Sequence, residues 1–236
     1  MIRNSVCPYC SKLMVKAENQ PLSRSVEHLI PNVVLTSNRN KGDGDFYACR
    51  ACNSSKSEMD YVLGALAKSQ CNDEKLALGT IWKALDDPKR NSRFIDMILA
   101  GAEQADGRVT MPLPVSGHEV ATYADYLAKG QYFKRYKKPI SPSQYVVTFE
   151  VVGKLVFSDL LNSYKARHGT TPFEDLKSNP YTEVIADSEC LIWSKNNRNM
   201  FIFHSGFALI TKLMNNTKRN VARRRACLLE LDGGHT

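Results

Sequence analysis

The sequence predicts an α+β protein with a small cysteine-clipped N-terminal unit, a helical middle and a mixed C-terminal region. Three observations carry this. Two CxxC pairs, Cys7–Cys10 and Cys49–Cys52, bracket the first sixty residues. From about Met59 apolar residues recur at helical spacing, and beyond residue 140 short β-branched and aromatic runs alternate with polar turns.

Residues 1–60 hold few large apolar side chains, so a metal clip is what lets such a segment fold. Seven cysteines are an odd number, and nothing behind Met1-Ile2-Arg3-Asn4-Ser5 resembles the apolar core of a secretory signal. A disulfide framework is therefore a poor reading. The two CxxC pairs instead suit one structural zinc held by Cys7, Cys10, Cys49 and Cys52, because zinc favours tetrahedral thiolate coordination. Cys71, Cys190 and Cys227 are scattered singly and read as apolar thiols. Asp43-Gly44-Asp45 reads as a turn into a strand at Phe46-Tyr47-Ala48, after an exposed loop at residues 37–42.

Tyr61, Leu63, Leu66 and Ala67 predict a helix, as do Leu76, Ile81, Trp82 and Leu85 before Pro88, and Phe94, Ile95, Ile98 and Leu99 before Gly101. These fill a helical segment over 61–104. Residues 105–118 contain two prolines and two glycines and suit a linker or an ordered surface loop. Val120, Tyr123, Ala124 and Leu127 start a further helix in the closing region, 119–236. There, Tyr145–Glu150 and Lys154–Phe157 read as one strand pair joined near Gly153. Cys190–Trp193 and Met200–Phe203 read as another, turning at Asn196-Asn197, and a basic helix closes the chain over about 217–231.

The formal charge is +8 with a pI near 9.1, which favours polyanionic partners. The cations cluster at Lys134-Arg135-Tyr136-Lys137-Lys138 and at Lys218-Arg219 with Arg223-Arg224-Arg225, each a phosphate-contacting or merely solvated face. No apolar run reaches the ~20 residues a membrane span requires. A cytosolic (cytoplasmic) protein with no membrane partner is the expectation.

The chemistry is expected between the cysteine pairs. Glu27 and His28 are adjacent, so a regular strand points them to opposite faces, while a strand end lets both approach one site. Asn53 follows Cys52 directly and would be fixed by a zinc bound there. Glu27 and Asn53 offer the oxygen ligands that Mg2+ or Mn2+ favours. His28, with an ordinary pKa near 6.5, would take a proton from water as general base. His118, His168, His204 and His235 stand alone and are read as structural or surface residues.

CPYC at 7–10, EHLIP at 27–31 and CRACNSSKS at 49–57 resemble the HNH endonucleases with a four-cysteine zinc site. The resemblance covers about residues 5–60. It implies a ββα-metal, treble-clef-like fold for that module and cleavage of phosphodiester bonds in DNA. It places His28 as the base, Glu27 and Asn53 as ligands of Mg2+ or Mn2+, and Lys56 as a phosphate contact. The family's middle asparagine, which orients the base, has no counterpart just before Cys49; Asp45 is the expected substitute, with Asn38 and Asn40 as alternatives. The C-terminal region would then bind substrate or a partner protein. The competing expectation is a noncatalytic zinc module on a nucleic-acid or protein adaptor.

Overall fold

The structure is a computed structural model. It describes the chain except residues 38, 41, 87–95, 97–102, 106, 107, 111–114, 142 and 233–236. The helix expected over 94–99, the alternative at Asn38 and His235 therefore lie outside the described residues.

The first unit is an antiparallel hairpin feeding a helix. Strands β1 (Arg24–Glu27) and β2 (Phe46–Cys49) pair with Glu27 opposite Phe46 and Arg24 opposite Cys49. Helix α1 (Arg50–Ser69) starts at the residue after β2 ends, and α2 (Glu74–Asp86) follows it. A one-turn 3-10 helix at Asn32–Val34 fills the inter-strand loop after Pro31. Part of the expected linker pairs as a short hairpin, β3 (Glu103–Ala105) with β4 (Arg108–Thr110).

Helix α3 (Gly117–Tyr136) begins at a capping box, in which the Ser116 hydroxyl accepts from the Glu119 amide and the Glu119 carboxylate accepts in return. Next come β5 (Tyr145–Val152), α4 (Lys154–His168), α5 (Pro172–Ser178), β6 (Thr182–Ile185), β7 (Cys190–Lys195), β8 (Arg198–Phe203), β9 (Phe207–Asn215) and α6 (Lys218–Asp232). The five long strands form one antiparallel sheet in the order β5-β9-β8-β7-β6. Asn196 and Asn197 both take positive φ (50° and 60°), the two-residue turn geometry that matches strand twist.

One expectation is corrected. Lys154–Phe157 is the first turn of α4, not a strand, and β5 pairs with β9 instead. Gly153 caps the helix start and Gly169 (φ 72°) its end; only Phe157 of the apolar run is buried, while Leu155 and Val156 stay exposed. A four-residue apolar run does not distinguish strand from helix, and the helix-forming residues behind it decide.

The hydrophobic core is continuous across the chain. Tyr9, Leu29, Ile30 and Phe46 pack in the same buried cluster as Tyr123, Leu127 and Phe133 of α3 and Ile192, Phe201 and Leu209 of the sheet. The first sixty residues thus complete their core by burying against α3. Gly130 permits the approach, since a Cβ there would lie 2.4 Å from Leu29 Cδ1 and 3.2 Å from Phe46 Cζ. Helices α4 and α5 cover one end of the opposite sheet face through Phe157, Leu161, Phe173 and Leu176.

Gly206, in the β8–β9 turn, meets the end of α1 still more tightly: an added Cβ would stand 1.9 Å from the Gln70 carbonyl oxygen. Gly79, inside α2, faces open space. We expect Gly206→Ala to lower stability by at least about 2 kcal/mol because backbone must move, and Gly79→Ala to raise it by about 0.5–1 kcal/mol. Urea denaturation of the two variants reads these opposite signs; a neutral Gly206→Ala would contradict the packing.

Candidate functional site

The four predicted zinc cysteines converge. Their sulfurs all lie within 4.8 Å of one another, and Cys10 Sγ is 3.8 Å from Cys49 Sγ. A tetrahedron with Zn–S of about 2.3 Å has edges of about 3.8 Å, so the cluster fits zinc. The knuckle at 7–10 supplies two sulfurs, the end of β2 and the first turn of α1 the others. The Cys49 amide donates to Cys7 Sγ at 3.4 Å. The Cys7 thiol is pulled down to about 5, chiefly by the Cys52 thiol and helped by neighbouring amides. Cys52 is pushed up chiefly by the same hydrogen bond, and burial pushes Cys49 up to about 11. Of the remaining thiols, Cys71 and Cys190 are buried and Cys227 half-buried.

The oxygen donors do not gather in the same way. Glu27, the last residue of β1, turns its carboxylate into the seam between hairpin and α1, where it is 2 % exposed. Its Oε1 accepts from Tyr9 Oη at 3.0 Å and pairs with Lys56 Nζ at 3.1 Å. Lys56 is fully buried, so it stands inside the fold and not on a phosphate-facing surface. Its ammonium also donates to both oxygens of Asp60, at 2.9 and 3.0 Å, and to the His28 carbonyl at 3.3 Å. The Tyr123 ring lies over it, 5.7 Å away. Burial pushes the carboxyls of Glu27 and Asp60 up, partly offset by Lys56. Burial alone would lower Lys56, but the two carboxylates outweigh it and raise it.

Asn53 lies one helical turn before Lys56, and its amide donates to Ser25 Oγ at 2.6 Å and to the Val26 carbonyl at 3.0 Å. It opens onto a cleft of about 840 Å3 whose walls include Lys16, Arg24, Arg50 and Ser57, with Glu18 and Glu58 as opposing charges.

His28 is half-buried just beyond β1, and its Nδ1 has no hydrogen-bond partner. Burial and the nearby Arg39 guanidinium hold its pKa below the ordinary 6.5, against the pull of Asp45 and Asp43. Arg39 is folded back onto the loop through the Ile30 carbonyl and Asn32 Oδ1. Asp45 is engaged elsewhere: Oδ2 accepts from the Leu29 amide at 2.8 Å and Oδ1 pairs with Lys134 at 2.9 Å. No hydrogen bond joins it to the imidazole.

Neither a protein-family model, nor a curated protein, nor a solved structure matches this chain. Among the described residues the four cysteines are the one group of three or more His, Cys, Asp or Glu side chains close enough to share a metal. A divalent ion at Glu27 would have to displace the Lys56 ammonium, so in this arrangement the proposed Mg2+ or Mn2+ ligands do not fit the ion.

Sequence reasoning missed Tyr9 and Asp60, and read Lys134 as part of a phosphate-contacting or solvated face where the fold pairs it with Asp45. Asp60 had a legible signal, since Lys56 and Asp60 stand at i,i+4 on one helix. Tyr9 and Lys134 reach the site only through tertiary packing.

The Lys56 cage makes a sharp prediction. Removing one partner of a buried ionic cluster costs about 3–5 kcal/mol, so we expect Lys56→Met to lose that much at neutral pH. The raised carboxyls of Glu27 and Asp60 favour the protonated form in the fold, so their burial penalty grows as pH rises and is relieved as pH falls. The deficit relative to wild type therefore shrinks towards about pH 5. Urea denaturation at both pH values tests this; a small or pH-independent deficit would show that the cage is solvated.

Proposed function

We propose that the chain hydrolyses phosphodiester bonds in nucleic acid, DNA being the expected substrate, through an HNH-like ββα module with His28 as general base. The supporting observation is local: an antiparallel hairpin runs directly into a helix at a four-sulfur cluster, and a half-buried imidazole with a lowered pKa, its Nδ1 buried and unpartnered, sits at the hairpin's mouth. A neutral imidazole can accept a proton from an attacking water at neutral pH. Lys16, Arg24 and Arg50, around the cleft that Asn53 enters, offer charge to phosphate oxygens. Zinc at the cysteines would hold the start of α1, and with it Asn53, against β1. Because Glu27 is paired with Lys56, no step is assigned to a metal there.

A second reading is favoured by that same pair. With its acidic ligand neutralised by an internal lysine, the module would be a zinc-clipped adaptor that binds nucleic acid or protein and does not cut.

A plasmid-nicking assay with and without added Mg2+ or Mn2+, run beside His28→Ala, separates the two. We expect wild-type nicking to be lost by about 100-fold or more in the variant. Since burial and Arg39 disfavour the imidazolium, His28 stays unprotonated below its ordinary range, and the acid limb of the rate should lie below pH 6.5. Equal cleavage by both proteins, or an acid limb above 6.5, would refute the assignment of the base. Binding without cleavage would favour the adaptor.

A further inference from the structure

Three cations of the basic clusters that stand out in the sequence are engaged by the fold, while Lys138, Lys218, Arg219, Arg223 and Arg225 stay exposed. Lys134 pairs with Asp45 and with Glu183, Arg135 donates to the Ser194 carbonyl, and Arg224 pairs with Asp125. A second set of cations is assembled by the register of the sheet, and Arg223 of the closing cluster joins it.

On the face of the sheet turned away from α3, side chains fall into rows across the strands. Val184, Leu191, Ile202, Ala208 and Val152 make one row, capped by α4 and α5. Two residues along, Trp193, Met200, Ile210 and Glu150 make the next. The third row is Lys195 opposite Arg198, Arg198 opposite Lys212, and Lys212 opposite Thr148. All three cations are exposed. Adjacent strands are about 4.8 Å apart, so the cations lie along roughly 10 Å at the backbone.

Like charges directly opposite one another destabilise a sheet. Lysine at sheet edges guards against strand addition, but β7, β8 and β9 are interior strands of this sheet, so that explanation does not apply. Among the described residues, Arg198, Lys212 and Arg223 have no carboxylate within ion-pairing distance. Arg223 of α6 joins Arg198, Lys212 and Thr148 around an open groove of about 470 Å3, in which Glu150 is the one acidic side chain. At the other end of the row the Lys195 ammonium lies 5.1 Å from the Tyr181 ring, which is 41 % exposed and could also stack on a base.

We infer that this row is a docking surface for the phosphodiester backbone of nucleic acid, laid across the strands from Tyr181 towards Arg223. Phosphates between Lys195, Arg198, Lys212 and Arg223 convert a repulsive row into a set of charge-assisted hydrogen bonds. The inference rests on the reading above for the identity of the ligand and adds where the strand is held.

The test is fluorescence anisotropy with a labelled oligodeoxynucleotide, single-stranded and as a duplex, and with labelled polyglutamate as a competing class of polyanion. Binding is measured in the His28→Ala protein without added Mg2+ or Mn2+, so cleavage does not enter. The variant carries Arg198→Gln with Lys212→Gln. A control with the same charge change carries Lys165→Gln with Arg167→Gln on the exposed end of α4. The row variant should lose about tenfold or more in affinity at low salt, and its salt slope on the single strand should fall by about 1.4, two phosphate contacts. The control should keep the slope, and the row variant should melt no lower than its parent because cross-strand repulsion is relieved. Equal losses in row variant and control, or equal dependence of polyglutamate binding on the row, would overturn the inference. A protein that binds through the row yet never nicks plasmid leaves it standing and refutes the hydrolase reading alone.

Discussion

The junction at Cys49 and Arg50 governs the N-terminal unit. One residue ends β2, the next begins α1, and the four sulfurs tie the knuckle at 7–10 to both. A helix start is stable only where its orphan amides and its direction are fixed, and Cys49 offers no side-chain cap. A zinc at the cluster would take that role. It would set the azimuth of α1, from which Asn53 meets β1 at Ser25 and Lys56 meets it at Glu27.

Downstream of that junction the seam is polar where a core is normally apolar. Glu27, Lys56 and Asp60 form a buried ionic cluster closed by Tyr9 and the His28 carbonyl. The same lysine therefore ties α1 to the backbone of His28, and Lys134 of α3 ties Asp45, the residue before β2, to Glu183 of β6. The loop bearing His28 is held between a helix of its own unit and a helix of the C-terminal region. The first sixty residues thus share α3 for their core and one of its cations for Asp45.

What could be read from sequence was what depends on local spacing. The cysteine pairs, the strand at Phe46, α3 and the Asn196-Asn197 hairpin are set within a few residues, and all appear in the fold. Harder to read was anything settled by distant partners. Lys154–Phe157 looked extended because its apolar run is short, and β9 was not singled out although it is the sheet's second strand. Glu27 was legible as a special residue, but not that Lys56 waits opposite it, because nothing in spacing says which face of a strand end a carboxylate takes. The cationic row was only half legible for the same reason: Lys195 and Arg198 flank the Asn196-Asn197 turn, but Lys212 joins them only through register.

The account depends most on a metal at the cysteine cluster, since the placement of α1, Asn53 and Lys56 follows from it. Zinc K-edge X-ray absorption on the purified chain, with elemental analysis, addresses it directly. The account predicts one zinc per chain with four sulfur ligands at about 2.3 Å. A folded protein without zinc, or a zinc bound mainly through oxygen and nitrogen, would contradict it.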